Sequence, residues 1–134
     1  MSRCDLHIHS RHSARSEEWL FRRFDFPDSY SDPKQLYEQL RKRGMDYVTI
    51  TDHDSIDGCL KIADLPRTFI SEQVTTFFPQ DGCKLHILVW GISEQQHRDI
   101  ESVRENLFDL QRLFAPWYPS PTSRIRQNIF RSAD

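Results

Sequence analysis

Short apolar runs alternate with amphipathic segments along the chain, and this alternation predicts an α/β fold. Runs rich in β-branched and aliphatic residues predict four strands, at residues 3–9, 47–51, 68–72 with a continuation towards 76, and 85–90. Segments with the helical period predict helices at 33–43, about 55–63 and 94–113. Strand–helix–strand order implies right-handed crossovers, so we expect about four parallel strands with helices. A small doubly wound sheet is the alternative.

Capping residues indicate where two of these helices begin. Asp32 is a favourable N-cap and Pro33 suits the first helical position, while Gly44 provides a stop signal after the last turn. Ser93 is the predicted cap of the long helix, whose apolar positions share one face: Ile100, Val103, Leu107, Leu110 and Leu113. The middle helix is predicted although it contains Gly58.

The pattern divides the chain into a domain and a tail. A length of 134 residues is enough for one domain. Residues 1–113 carry all the predicted elements, whereas residues 114–134 are polar, contain several prolines and show no periodicity. We expect this tail to be irregular and poorly ordered. The long polar connection at residues 10–31 is expected to be a functional loop.

Composition narrows the classes of function. The net charge of −2 argues against a nucleic-acid-binding protein. Three widely spaced cysteines form neither a Cys-x-x-Cys zinc pair nor a disulfide framework, which favours a reducing compartment. The chain has no apolar run of transmembrane length and no signal-peptide pattern. A cytoplasmic location without membrane association is therefore expected.

Candidate metal ligands stand on or just after each predicted strand. His7 and His9 alternate along the first strand and share a face, about 6.5 Å apart at their Cα atoms, so both imidazoles can reach one metal ion. Asp52 and His53 follow the second strand directly, and the other two strands carry Glu72 and His86. Ligands collect at the carboxyl ends of parallel strands, so these side chains are expected to converge.

Each candidate also has a plainer interpretation. A His-x-His pair on its own is most often coincidental, His53 could cap the following helix, Glu72 could lie on an edge strand, and His86 could be a hydrogen-bonded core residue. Asp52 fits the role of a carboxylate that accepts a ring N–H and fixes a histidine tautomer. His97 is expected on the exposed side of the long helix. Chance accounts poorly for so many histidines on strands, because a buried imidazole is costly unless bonded.

Two motifs carry a resemblance to a known family. Asp5-Leu6-His7-Ile8-His9-Ser10 and Val48-Thr49-Ile50-Thr51-Asp52-His53-Asp54-Ser55 resemble the His-x-His and Thr-Asp-His motifs of the polymerase and histidinol phosphatase (PHP) family. The segments around Glu72 and His86 resemble its next two strands. The resemblance spans residues 3 to about 112. It implies a distorted β/α barrel whose members hydrolyse phosphate esters with two or three divalent metal ions, namely zinc, manganese or iron.

The same resemblance assigns roles to residues of this chain. It implies that His7, His9 and Glu72 hold one metal ion, that Glu72 and His86 help to hold another, that His53 joins a further site, and that the substrate is a small phosphorylated molecule. Arg11, Arg15 and Lys84 offer positive charge for a phosphate, and the sequence does not choose between them.

Two departures from the family pattern qualify this reading. Ala14 stands where a carboxylate ligand is common, with His12 as a possible substitute, and the histidine and Asp-x-His ligands of later strands are missing from the tail. The expected fold is thus a partial, truncated PHP-type barrel, whose open edge a partner chain could cover. The competing hypothesis is a non-catalytic remnant that binds metal weakly or serves as a scaffold or partner module.

Overall fold

Two small sheets and four helices make up the part of the chain that this computed structural model describes, namely residues 1–13 and 31–117 and the backbone of 129–131. In chain order the elements are β1 (Cys4–Asp5), α1 (Pro33–Lys42), β2 (Tyr47–Val48), α2 (Asp57–Leu60), β3 (Ser71–Phe77), β4 (Lys84–Trp90), α3 (Glu94–Val103), α4 (Leu107–Phe114) and β5 (Ile129–Arg131). None of the helices in these ranges is long and apolar enough to cross a membrane.

The two sheets meet where the segment from β2 to His53 runs beside the segment that leads into β3. Strands β1 and β2 are parallel, and β3, β4 and β5 form an antiparallel sheet in that order. Single parallel bridges join Val48 to Thr68 and His53 to Gln73. The segment after β2 therefore lies beside the segment that becomes β3, and this brings the polar ends of several strands together.

The prediction of a partial PHP-type barrel with about four parallel strands is wrong. The parallel pairing involves β1, β2 and the two single bridges, β3 and β4 are antiparallel, and the described strands do not close a barrel. The loop at residues 78–83 explains the error, because a parallel crossover needs a dozen or more residues. Gly82 turns this loop with φ of 68°, and its N–H donates to the Phe78 carbonyl at 2.8 Å.

Helix α1 begins where its capping residues predict, whereas the predicted long helix consists of two helices, α3 and α4. Asp32 accepts hydrogen bonds from the backbone N–H groups of Lys34 and Gln35, as an N-cap should. Helix α3 ends at Val103, and the Asn106 side chain then accepts from the Phe108 N–H to begin α4. An Asn side chain can take the place of a helical backbone partner. Asn106 therefore interrupts the helix, although the apolar positions continue from α3 into α4.

The core consists of two apolar clusters, one for each sheet. Helices α3 and α4 pack on the β3–β4 hairpin through Val74, Val89, Ile100, Leu110 and Phe114. Ile56 and Ile92, from the connecting segments, complete this cluster. The second cluster lies around β2 and contains Leu40, Val48, Ile50, Cys59 and Ile62. Strand β5 pairs with β4 from within the predicted tail, and the rest of the tail beyond residue 117 lies outside the described residues.

Replacing Ser93 by alanine is expected to destabilise the fold by about 1 kcal/mol, because it removes a capping box. The Ser93 hydroxyl accepts from the Gln96 N–H at 3.2 Å, and the Gln96 side chain accepts from the Ser93 N–H at 2.9 Å. Urea unfolding measures the loss. Ser102→Ala on the same helix is the control, since its exposed hydroxyl only donates to the Asp99 carbonyl. Equal stabilities of the two variants would contradict the role of the cap.

Candidate metal centre

The chain beyond β1 is held against the chain beyond β2, and this fixes the first two histidines. The Ile8 carbonyl accepts from the Thr51 N–H at 2.7 Å, and the Ile8 N–H donates to the Thr51 hydroxyl at 2.9 Å. His7 and His9 flank this anchor, and their Nε2 atoms lie 3.0 Å apart. Two ligands in a tetrahedral zinc site lie roughly 3.3 Å apart, so the pair is close to the spacing that one metal ion requires.

Four histidines predicted from the sequence form one row of rings. The ring centroids lie 5.0 Å apart for His7 and His9, 4.7 Å apart for His9 and His53, and 4.7 Å apart for His53 and His86. The rings come from the segments after β1 and β2 and from β4. We call His7, His9, His53 and His86 the histidine cluster.

Gln73 connects the two ends of the histidine cluster, and the sequence analysis missed it. Its Oε1 lies 2.8 Å from His7 Nε2, and its Nε2 lies 2.7 Å from His86 Nδ1. An amide nitrogen can only donate, so with the amide in this orientation His86 Nδ1 accepts and His7 Nε2 donates. His7 Nε2 has to give up this proton before it can bind a metal ion. The available signal was the alternation along β3, which places residues 72 and 73 on opposite faces.

The structure does not bring Glu72 to the histidine cluster. Its side chain is fully buried on the other face of β3, where Oε1 accepts from His97 Nδ1 at 2.9 Å. Gln73 is instead held beside His53 by two backbone bonds, from its N–H to the Asp52 carbonyl and from the Asp54 N–H to its carbonyl, both 3.0 Å. The predicted bridging carboxylate is therefore replaced by an amide at this position.

Asp52 holds the chain around Ser10. One carboxylate oxygen accepts from the Ser10 N–H at 2.5 Å and the other from the Ser10 hydroxyl at 2.6 Å. Both residues are buried, and burial raises the pKa of Asp52 although the two bonds from Ser10 oppose the shift. Asp52 therefore positions His9 through the backbone of the adjacent Ser10. The sequence predicted instead a hydrogen bond from a histidine ring to this carboxylate.

The His53 imidazole is kept neutral by its surroundings. Burial lowers its pKa to about 3, and the neighbouring His9, His86 and His7 act in the same direction. A neutral imidazole is the form that binds a metal ion. The donor set of imidazole nitrogens around the Gln73 carbonyl oxygen therefore fits an ion such as Zn²⁺, which accepts nitrogen and oxygen ligands.

The other residues that the sequence singled out lie in the loop after His9, which the structure describes in part, and at the start of β4. The His12 N–H donates to the Ser10 hydroxyl at 3.1 Å, and its ring Nε2 is buried without a hydrogen-bond partner among the described residues. Arg11 forms an ion pair with Asp32 at 2.9 Å. Ala14 and Arg15 lie outside the described residues, as does most of the loop predicted to be functional. Lys84 is close enough to His53 to help lower its pKa.

A second group of side chains could hold a metal ion. Glu72, His97 and Glu101 each offer one ligand atom, and these atoms lie within 4.8 Å of one another. His97 was expected on the exposed side of its helix, but only 18% of its side chain is exposed. The signal for this contact was the i, i+4 spacing of His97 and Glu101 on one helix face, combined with the strand alternation that turns Glu72 away from the side of Gln73.

Comparison with known proteins gives one similarity and no functional description. No family model matches the chain. An uncharacterized protein of Methanocaldococcus jannaschii, MJ1587, is 35% identical over 72 residues. The match covers 54% of this chain and 40% of that protein, so the chain matches well under half of the relative's length.

Proposed function

We propose that the chain is a metal-dependent phosphoesterase whose metal site is the histidine cluster. The observation that carries the proposal is the His7–His9 pair, with Nε2 atoms 3.0 Å apart beside the Gln73 carbonyl oxygen. The resemblance of the two histidine motifs to the PHP family supports the reaction class, and a small phosphorylated molecule is the proposed substrate. The carbonyl of an amide and two imidazoles form a reasonable donor set for one ion.

The residues of the cluster have separate parts in this proposal. His7 and His9 bind the ion directly, while the rings of His53 and His86 line the site beside them. Zinc, manganese and iron are the proposed ions, with up to three in a complete site of the family. A divalent ion bound there supplies a Lewis acid that polarises a phosphoryl oxygen and lowers the pKa of a bound water.

Asp52, Ser10 and Thr51 position this donor set without touching the substrate. Their bonds hold the two segments that carry His7, His9 and His53 in a fixed relation. The side chains of a catalytic site must be held within about 0.5 Å of their productive positions. A fixed backbone at both segments therefore favours a preorganised site over a chance gathering of histidines.

A non-catalytic remnant is the second candidate, and one observation favours it. Gln73 occupies the centre of the cluster, whereas Glu72 faces away and Asp52 is bonded to Ser10. Without a carboxylate facing the rings in the described part of the chain, the cluster lacks the side chain that would bridge two metal ions, which favours binding of a single ion. Such a chain would bind one ion and hydrolyse nothing.

Hydrolysis assays on the purified full chain separate the two candidates. After chelator treatment, the protein is loaded with Zn²⁺, Mn²⁺ or Fe²⁺ and tested on p-nitrophenyl phosphate and bis-p-nitrophenyl phosphate. The phosphoesterase predicts turnover that requires one of these ions and disappears again with EDTA. Bound metal without turnover of either ester would reject the enzyme and leave the remnant.

A further inference from the structure

The group formed by Glu72, His97 and Glu101 lies on the face of β3 opposite to the histidine cluster. Glu72 belongs to β3, and the other two residues belong to α3. His97 and Glu101 are four residues apart and therefore stand one above the other on the helix surface. The ligand atoms of the three side chains lie within 4.8 Å of one another, so the group spans the contact between helix and strand.

Glu72 gives a second, independent sign of a ligand at this place. Its side chain is fully buried, and Oε1 accepts from His97 Nδ1 at 2.9 Å. Its other oxygen, Oε2, is buried and has no hydrogen-bond partner among the described residues. A buried carboxylate oxygen without a partner is costly, and a cation beside His97 and Glu101 would provide that partner.

The charges around the group are predominantly negative. Asp54 and Glu101 both lie close enough to act on Glu72 by charge repulsion. Arg104 is the cation seen to bind here, at 3.0 Å from Glu101 and 3.2 Å from Asp54. When His97 is neutral, as a metal ligand must be, one guanidinium faces three carboxylates, and a divalent cation would offset the excess of negative charge.

We propose that Glu72, His97 and Glu101 bind one divalent transition-metal ion, with Zn²⁺ as the best match. One imidazole nitrogen and two carboxylate oxygens are ligands that zinc accepts, and a three-residue set leaves one tetrahedral position for water. The ion ties α3 to β3. This site does not depend on the proposed phosphoesterase activity, because it shares no residue with the histidine cluster.

Metal titration of the full chain tests the site. Wild-type protein and Glu101→Gln, after chelator treatment, are titrated with Zn²⁺ and with Co²⁺, whose absorption spectrum reports its ligands. Glu101 is exposed and glutamine keeps its size, so we expect the fold to remain intact although the contact with Arg104 is weakened. We expect Glu101→Gln to lose one equivalent of metal or to bind it at least 10-fold more weakly. Glu38→Gln, an exposed carboxylate on α1, is the matched control and should bind as wild type does.

A second variant separates this site from the histidine cluster. His9→Ala should keep the equivalent that Glu101→Gln loses, and adding Zn²⁺ should raise its melting temperature but not that of the double variant His9→Ala/Glu101→Gln. The proposal is overturned if Glu101→Gln binds metal like wild type, or if His9→Ala binds none. Absence of phosphoesterase activity in all variants would count against the proposed function only.

Discussion

Gly58→Ala is expected to destabilise the protein by about 2–4 kcal/mol, against the usual preference of helices for alanine. A Cβ atom at position 58 would lie 2.3 Å from Asp52 Oδ2 and 2.7 Å from the Ser10 hydroxyl. The helix gains about 1 kcal/mol from the substitution. Displacing the buried Asp52 carboxylate weakens two charge-assisted hydrogen bonds, each worth about 1.5–3 kcal/mol. The weakening of these hydrogen bonds therefore exceeds the gain in helix propensity.

Urea denaturation of Gly58→Ala and of Lys61→Ala measures this loss. Lys61 is exposed at the end of the same short helix, so its replacement should change stability by less than about 0.5 kcal/mol. A Gly58→Ala protein at least as stable as wild type would mean that helix propensity governs this position. It would also mean that the Asp52–Ser10 contact can move without cost.

Removing the His9 side chain is expected to reduce metal-dependent ester hydrolysis at least about 100-fold. Loss of a group that merely orients a metal ligand costs about 10- to 100-fold, and in the proposed site His9 is a ligand itself, with its Nε2 3.0 Å from that of His7. Initial rates for His9→Ala, His7→Ala and the double variant measure the effect. The double variant should be hardly worse than either single one, because in the proposed site the two residues bind the same ion.

Two checks make the His9 result interpretable. Gln39→Ala, an exposed residue on α1, should keep the wild-type rate and metal content. Circular dichroism should show that His9→Ala folds. Full metal-dependent activity in a folded His9→Ala protein would remove the histidine cluster from the reaction.

Much of the local structure could be predicted because it depends on neighbouring residues. The Asp32–Pro33 pair places the start of α1, and the apolar run from Leu85 places β4 to within one residue. The apolar period does not show the break in the long helix, because it continues across Asn106, whose side chain begins α4. The alternation of strands with helices does not show the hairpin either, since only the short loop at residues 78–83 excludes a parallel crossover.

The four histidines of the candidate site could be predicted from the sequence, but the third donor, the side chain of Gln73 beside them, could not. His7, His9 and His53 follow β1 and β2, and His86 lies near the start of β4, where the fold brings their rings together. The identity of the third donor depends on the phase of one strand, and a shift of one residue exchanges its two faces. The sequence indicates that β3 exists but not which of Glu72 and Gln73 faces β1, so the tertiary contacts decide.

Residues 72 and 73 are adjacent on β3 and face opposite sides, so each proposed metal site takes one side chain from the same short piece of strand. A metal ion that moved the strand at one site would therefore also move the ligand at the other. If such a shift changes affinity, thermodynamic linkage requires the effect to be mutual and equal in free energy. Cooperativity between two ions would then be a property of a single peptide unit, without any rearrangement of helices or loops.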